Sequence, residues 1–151
     1  MSDATTKFIH VSYIRSTPDK IFAAITTPEI ATLYWGYGNV SDWQPGSKWE
    51  MVREEGGRHV NVTGKVVESV PPKLLVITWA DPGDAGKASR VTFDLHAIET
   101  MVRVTVTHDE LTGDMARRIA MGWPMVLSSL KSFLETGQPL DLVAWKKSLA
   151  R

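Results

Sequence analysis

The chain reads as an α+β domain: a curved six-stranded antiparallel sheet, two short helices, and one long C-terminal helix laid across the sheet. Three observations predict it. From Ser47 to His108 apolar and polar residues alternate with period two, broken at intervals by turn residues. From Thr112 to Thr136 the apolar residues recur at helical spacing instead. Ahead of both, Thr17-Pro18-Asp19 and Thr27-Pro28-Glu29 each supply an N-cap residue, a proline at the first helical position and an acid in the first turn.

In chain order, Phe8 to Arg15 is rich in β-branched and aromatic residues and forms the first strand. Ile21, Phe22 and Ile25 give the next segment a helical apolar stripe, and a second short helix runs to about Tyr34. Punctuation at Glu54-Glu55-Gly56-Gly57, Val70-Pro71-Pro72-Lys73, Asp81 to Gly86 and Ile98-Glu99 divides the alternating region into five strands. These turns set the registers, because a slip of one residue turns every side chain to the wrong face. The first loop places Met51 opposite Val60 and Trp49 opposite Val62. The second places Ile77 opposite Val66 and Trp79 opposite Gly64, a glycine leaving room for the indole. A two-residue turn at Ile98-Glu99 places Leu95, Phe93, Val91 and Ser89 opposite Val102, Val104, Val106 and His108.

Glu50, Arg90, Asp94, His96, Arg103 and Thr105 share the other parity, so one face is wet and one is covered. The cover is the long helix: Met115, Ile119, Trp123, Val126, Leu130 and Phe133 make its stripe, and Gly137 stops it. Pro124 removes a backbone donor inside it, so a kink near Gly122 is expected. The succession is a helix-grip layout. Residues 1–7 read as a flexible N-terminus, 8–138 as a single domain and 139–151 as an extension. Leu142, Val143 and Trp145 in that extension call for cover from the domain itself or from a second copy, which makes a homodimer through the extension an expectation.

A length of 151 residues with 43% hydrophobic residues suffices for one core without staples. There is no cysteine, which excludes disulfides, thiolate nucleophiles and cysteine metal sites and agrees with a cytoplasmic setting. Lys and Arg balance Asp and Glu at 17 each, so no net field steers the protein to nucleic acid or an anionic membrane. The polar N-terminus lacks a signal h-region, and the longest apolar run, Ile119 to Leu127, is too short to span a bilayer.

The order of elements and several stretches resemble the START-like, or SRPBCC, superfamily, in the branch named after the activator of the heat-shock protein 90 ATPase. The stretches are Thr17-Pro18-Asp19-Lys20-Ile21-Phe22, Pro28-Glu29, Ser41-Asp42-Trp43-Gln44-Pro45-Gly46-Ser47, Gly64-Lys65-Val66-Val67-Glu68 with Pro71-Pro72, and Gly122-Trp123 with Leu130-Lys131. They span roughly residues 8 to 138. The resemblance implies a START-like container enclosing a cavity, and no particular reaction. It also implies likeness to the C-terminal domain of a eukaryotic co-chaperone, and hence a stress-related interaction role.

Chemistry-bearing motifs are few. No serine stands in a Gly-x-Ser-x-Gly elbow, and His10, His59, His96 and His108 show no metal-ligand spacing, so neither a metal nor a cofactor is implied. Gly83 to Lys87 and Gly36-Tyr37-Gly38 lack the context of phosphate or dinucleotide loops. The Asn-x-Ser/Thr triplets at Asn39 and Asn61 carry no meaning in a cytosolic chain. Six tryptophans are the unusual feature. Trp35, Trp49, Trp79 and Trp123 point between helix and sheet, where they either pack a core or, with Tyr34 and Phe93, line a ligand cavity. Met51 and Met121 join that lining as adaptable gap-fillers. His108, at the inward end of the last strand, is either a strand-end histidine bonded locally or a polar anchor or proton donor for a ligand.

The leading expectation is therefore a non-enzymatic module binding a small apolar or amphipathic molecule beneath the long helix. One alternative is a cyclase or hydrolase with His108, and Tyr13 or Tyr34, in general acid–base roles. Another is a protein-interaction domain.

Overall fold

The computed structural model describes residues 5–150 and opens with strand β1 (Thr6–Ile14). Of the N-terminus expected to be flexible, residues 1–4 lie outside this range, while Thr6 and Lys7 already belong to β1. Helices α1 (Pro18–Thr26) and α2 (Pro28–Trp35) follow, sharing Thr27 as the stop of one and the cap of the other. Thr17 caps α1 as its sequence implies, its hydroxyl accepting from the Lys20 amide at 3.3 Å. Then come β2 (Gly38–Ser41), β3 (Lys48–Arg53), β4 (His59–Val70), β5 (Leu74–Trp79), β6 (Ser89–Ile98), β7 (Met101–Leu111), α3 (Gly113–Thr136) and α4 (Leu142–Ser148). The antiparallel sheet has the order β1-β7-β6-β5-β4-β3-β2.

Seven strands are present where six were expected. The extra one, β2, contains Gly38 and Asn39, residues with poor strand propensity, and is held from outside itself. It pairs with β3, and the buried Asn39 side chain donates to Ile25 O at 2.8 Å while the Trp43 indole donates to Thr26 O at 2.9 Å. Both acceptors are carbonyls at the end of α1 that the helix itself leaves without donors.

The registers keep the expected parity but differ in detail. Ile77 does face Val66. In the β6–β7 hairpin the turn is Glu99-Thr100, one residue later than expected, so Leu95, Phe93 and Val91 face Val104, Val106 and His108. Glu99 takes the left-handed conformation the two-residue turn requires, at φ 52°, without a glycine or asparagine to mark it. In the β3–β4 hairpin Met51 faces Val62 and Trp49 faces Gly64, each two residues from the expected partner. Pairing shifts between Met51↔Val62 and Val52↔Val60, so Asn61 is a bulge residue with no partner opposite. The indole that lies across Gly64 is accordingly that of Trp49, not Trp79: it donates to Thr78 O at 2.6 Å, and a Cβ at Gly64 would collide with both groups.

Helix α3 covers the inner face, burying Ile119, Trp123, Leu127 and Leu130 against Val91, Phe93, Leu95, Val102, Val104 and Val106. Each such side chain contributes about 1.5–3 kcal/mol by leaving water. The helix is continuous through Pro124 and ends on Gly137 in the left-handed conformation. Its last turns are tied to β1 and the residue after it: Glu135 accepts from the Arg15 amide at 2.8 Å and from Lys131 at 2.7 Å.

The extension is only partly covered by its own domain. Helix α4 buries no residue; Leu142 and Trp145 are half-covered by the domain, while Val143 is 64% exposed.

Candidate functional site

Trp123, projecting from the middle of α3, is the centre of the layer between helix and sheet. Its ring centroid lies 5.5 Å from those of Trp35 and Trp79 and 5.6 Å from that of Phe93, in tilted or edge-on arrangements favoured by aromatic quadrupoles. Trp49 lies 5.6 Å beyond Trp79. The sequence reading that turned these rings toward one another needed only strand parity and helical spacing.

His108 sits among these rings, wholly buried. The Trp123 indole N–H donates to His108 Nδ1 at 3.0 Å. An indole nitrogen has no acceptor capacity, so Nδ1 carries no proton. The neutral imidazole then bears its hydrogen on Nε2 and donates to Ser89 Oγ at 2.7 Å, leaving the serine hydroxyl to donate to Trp79 O at 3.1 Å. Burial pushes the His108 pKa down to about 4. Both ring nitrogens are committed inside the protein, so His108 is the locally bonded histidine of the two readings, and it offers no proton to a ligand. Tyr34 is similarly engaged, its buried hydroxyl donating to Ala24 O at 2.9 Å while burial pushes its pKa upward. Tyr13 faces outward on β1 with its ring half exposed, away from this layer.

Beside Trp123 the layer is not filled. A cavity of about 120 Å³ remains between α3 and the β3–β4–β5 end of the sheet, open on one side. Trp35, Trp79 and Trp123 form its aromatic walls, Met51, Ile119 and Val126 its aliphatic ones, and Gly122 leaves a gap in the helix surface where a Cβ would meet nothing within 4 Å. Asn61 and Tyr37 complete the lining.

Of the residues singled out from sequence, Trp35, Met51, Trp79 and Trp123 border the cavity; Trp49, Phe93, Tyr34 and His108 stand behind it in the packed layer. Met121 does not belong: it is 46% exposed on the solvent side of α3, since helical geometry turns it well away from Trp123. Asn61, Tyr37, Ile119, Gly122 and Val126 were missed as lining. Ile119 and Val126 stood in the helical stripe and gave a signal; Asn61 had the parity of the wet face until the bulge re-aimed it. Among the described residues no cluster of His, Asp or Glu is arranged to hold a metal, and no helix is long and apolar enough to cross a membrane. The arrangement is fit to hold an apolar body; its walls contain no carboxylate or imidazole to move a proton.

One long helix clasping an antiparallel sheet over an aromatic-lined hollow is the architecture of START-like, or SRPBCC, domains. Within that class the chain belongs to the family described as Activator of Hsp90 ATPase homolog 1-like protein, which matches residues 15–135. The Aha1 dimer of Colwellia psychrerythraea is 26% identical, with a TM-score of 0.74 over 87% of this chain and 98% of that one. CalU16 of Micromonospora echinospora is 23% identical, with a TM-score of 0.71 over 89% of this chain and 76% of that one. An Hsp90 activator of Plasmodium falciparum, PFC0360w, is 21% identical at a TM-score of 0.71 over 88% and 97%. No curated protein matches the chain.

Proposed function

We propose that the protein is a non-enzymatic binding module whose ligand is a small apolar or amphipathic molecule seated beneath α3. The cavity bordered by Trp35, Trp79, Trp123 and Met51 carries this reading. Its volume of about 120 Å³ suits a single ring, being close to the roughly 150 Å³ of engineered apolar voids that take up benzene. The absence of cysteine supports a cytoplasmic setting.

Toluene titrated into the protein, followed by calorimetry and tryptophan fluorescence, tests the reading. Gly122→Leu places a side chain where the helix surface now has a gap and should weaken toluene binding at least tenfold, without loss of fold because leucine favours helix over glycine. Toluene binding that is absent from the wild type, or unchanged in Gly122→Leu, overturns it.

A second reading, docking of another protein or of a second copy, is favoured by exposed apolar side chains. Ile9, Val11 and Tyr13 line the outer face of β1, an edge strand, and Val143 and Leu149 stand out from α4. Sedimentation over a range of concentrations decides it, with Val11→Lys and Val143→Ser locating the contact.

A further inference from the structure

We propose that the ligand of this cavity is an anion: a single aromatic ring carrying a short carboxylate arm, its ring between Trp35, Trp79 and Trp123 and its carboxylate at the mouth between Arg53 and Lys146. The proposal rests on the binding reading above and adds the chemical class.

Tyr37 forms the rim of the cavity, and two cations converge on its ring. The Lys146 ammonium stands 5.4 Å from the ring centroid and the Arg53 guanidinium carbon 6.0 Å. They come from segments far apart in the sequence, Arg53 closing β3 and Lys146 lying on α4. None of the ion pairs among the described residues includes either cation. The carboxylate next to Arg53 in sequence, Glu54, faces a different hollow with Val40 and Val52. Two positive charges beside an apolar cavity, neither paired with a protein anion among the described residues, define the electrostatic complement of a carboxylate.

The polar atoms of the walls have the same bias toward donors. Trp49 and Trp123 give their indole hydrogens to Thr78 O and His108, whereas those of Trp35 and Trp79 meet no acceptor among the described residues and are not sealed from open space. Asn61, turned to the cavity by the bulge, donates only to the Met51 sulfur at 3.6 Å, a weak acceptor. A ligand that brings acceptors satisfies these groups; a cationic ligand meets two like charges at the entrance.

The test compares four probes of similar ring size on the whole protein by calorimetry at pH 7.5: toluene, phenylacetate, phenylacetamide and phenethylamine. Phenylacetate should bind about tenfold more tightly than phenylacetamide, and phenethylamine most weakly of the three. Raising salt from 0.05 to 0.5 M should shrink the acid's advantage. In Arg53→Gln/Lys146→Gln the advantage should fall below threefold, with toluene binding within twofold of wild type as the control that the cavity is intact. Phenylacetamide binding as tightly as phenylacetate, or an undiminished acid preference in the double variant, overturns the anion assignment while toluene binding leaves the cavity reading standing. Failure of all four probes removes both.

Discussion

The two halves of the layer beneath α3 are made from the same kinds of residue and end in opposite states. At His108 the polar side chains form a closed chain: Trp123 donates to the imidazole, the imidazole to Ser89, and Ser89 to a main-chain carbonyl. Around Met51, among the described residues, an asparagine amide has only a sulfur to donate to, the indoles of Trp35 and Trp79 meet no acceptor, and space remains. Tryptophan content therefore does not distinguish core from cavity; hydrogen-bond closure does.

The comparison can be broken first at the residue both halves share. Trp123→Ala removes the hub of the packed half as well as a wall of the open one, and should lower stability by about 3–5 kcal/mol in chemical denaturation. A loss under about 1 kcal/mol would show that the packed half is packed in appearance only.

Next in size is an acid effect confined to the closed half. An unfolded histidine titrates near 6.5, while burial holds folded His108 to about 4. As the pH falls, the unfolded chain takes up this proton first, so the stability associated with neutral His108 is complete above about pH 6.5. It declines through the interval and is lost by about pH 4, a change of about 3 kcal/mol. Denaturation midpoints measured from pH 7.5 to 4 in wild type and His108→Gln should converge as the pH drops, because only the wild type loses this contribution. Parallel curves would mean that His108 is accessible and titrates normally.

The smallest effect belongs to the extension. Val143→Ser should change stability by less than about 0.5 kcal/mol, since the side chain is 64% exposed and touches little. A larger loss in a concentration-dependent melting curve would instead reveal a second copy covering α4.

Much of this was legible in the residues. Period-two and helical spacing placed five of the strands from Lys48 onward and the whole of α3; strand parity turned Trp49, Trp79, Phe93 and His108 inward, and helical spacing turned Trp123. What was not legible has physical causes. Strand β2 is held by Asn39 and Trp43 reaching back to α1, a tertiary effect without local propensity. The β3–β4 register is moved once by a loop one residue longer than its turn residues mark and once more by the bulge at Asn61, and a pattern of alternation counts neither. The commitment of His108 depends on its contact with Trp123 across the layer, fifteen residues away in sequence. The cation pair at Tyr37 joins β3 to α4, two segments nothing in the sequence links.

Gly64 and the rim of the cavity differ in how much change their surroundings allow. A methyl group at Gly64 would strike the Thr78 carbonyl and the Trp49 indole, so the place where that indole crosses β4 admits not even one added carbon. Asn61, Arg53 and Lys146 carry no such restriction: all three are exposed at the rim. The chemistry of the rim can thus change residue by residue while the packed layer behind it stays as it is.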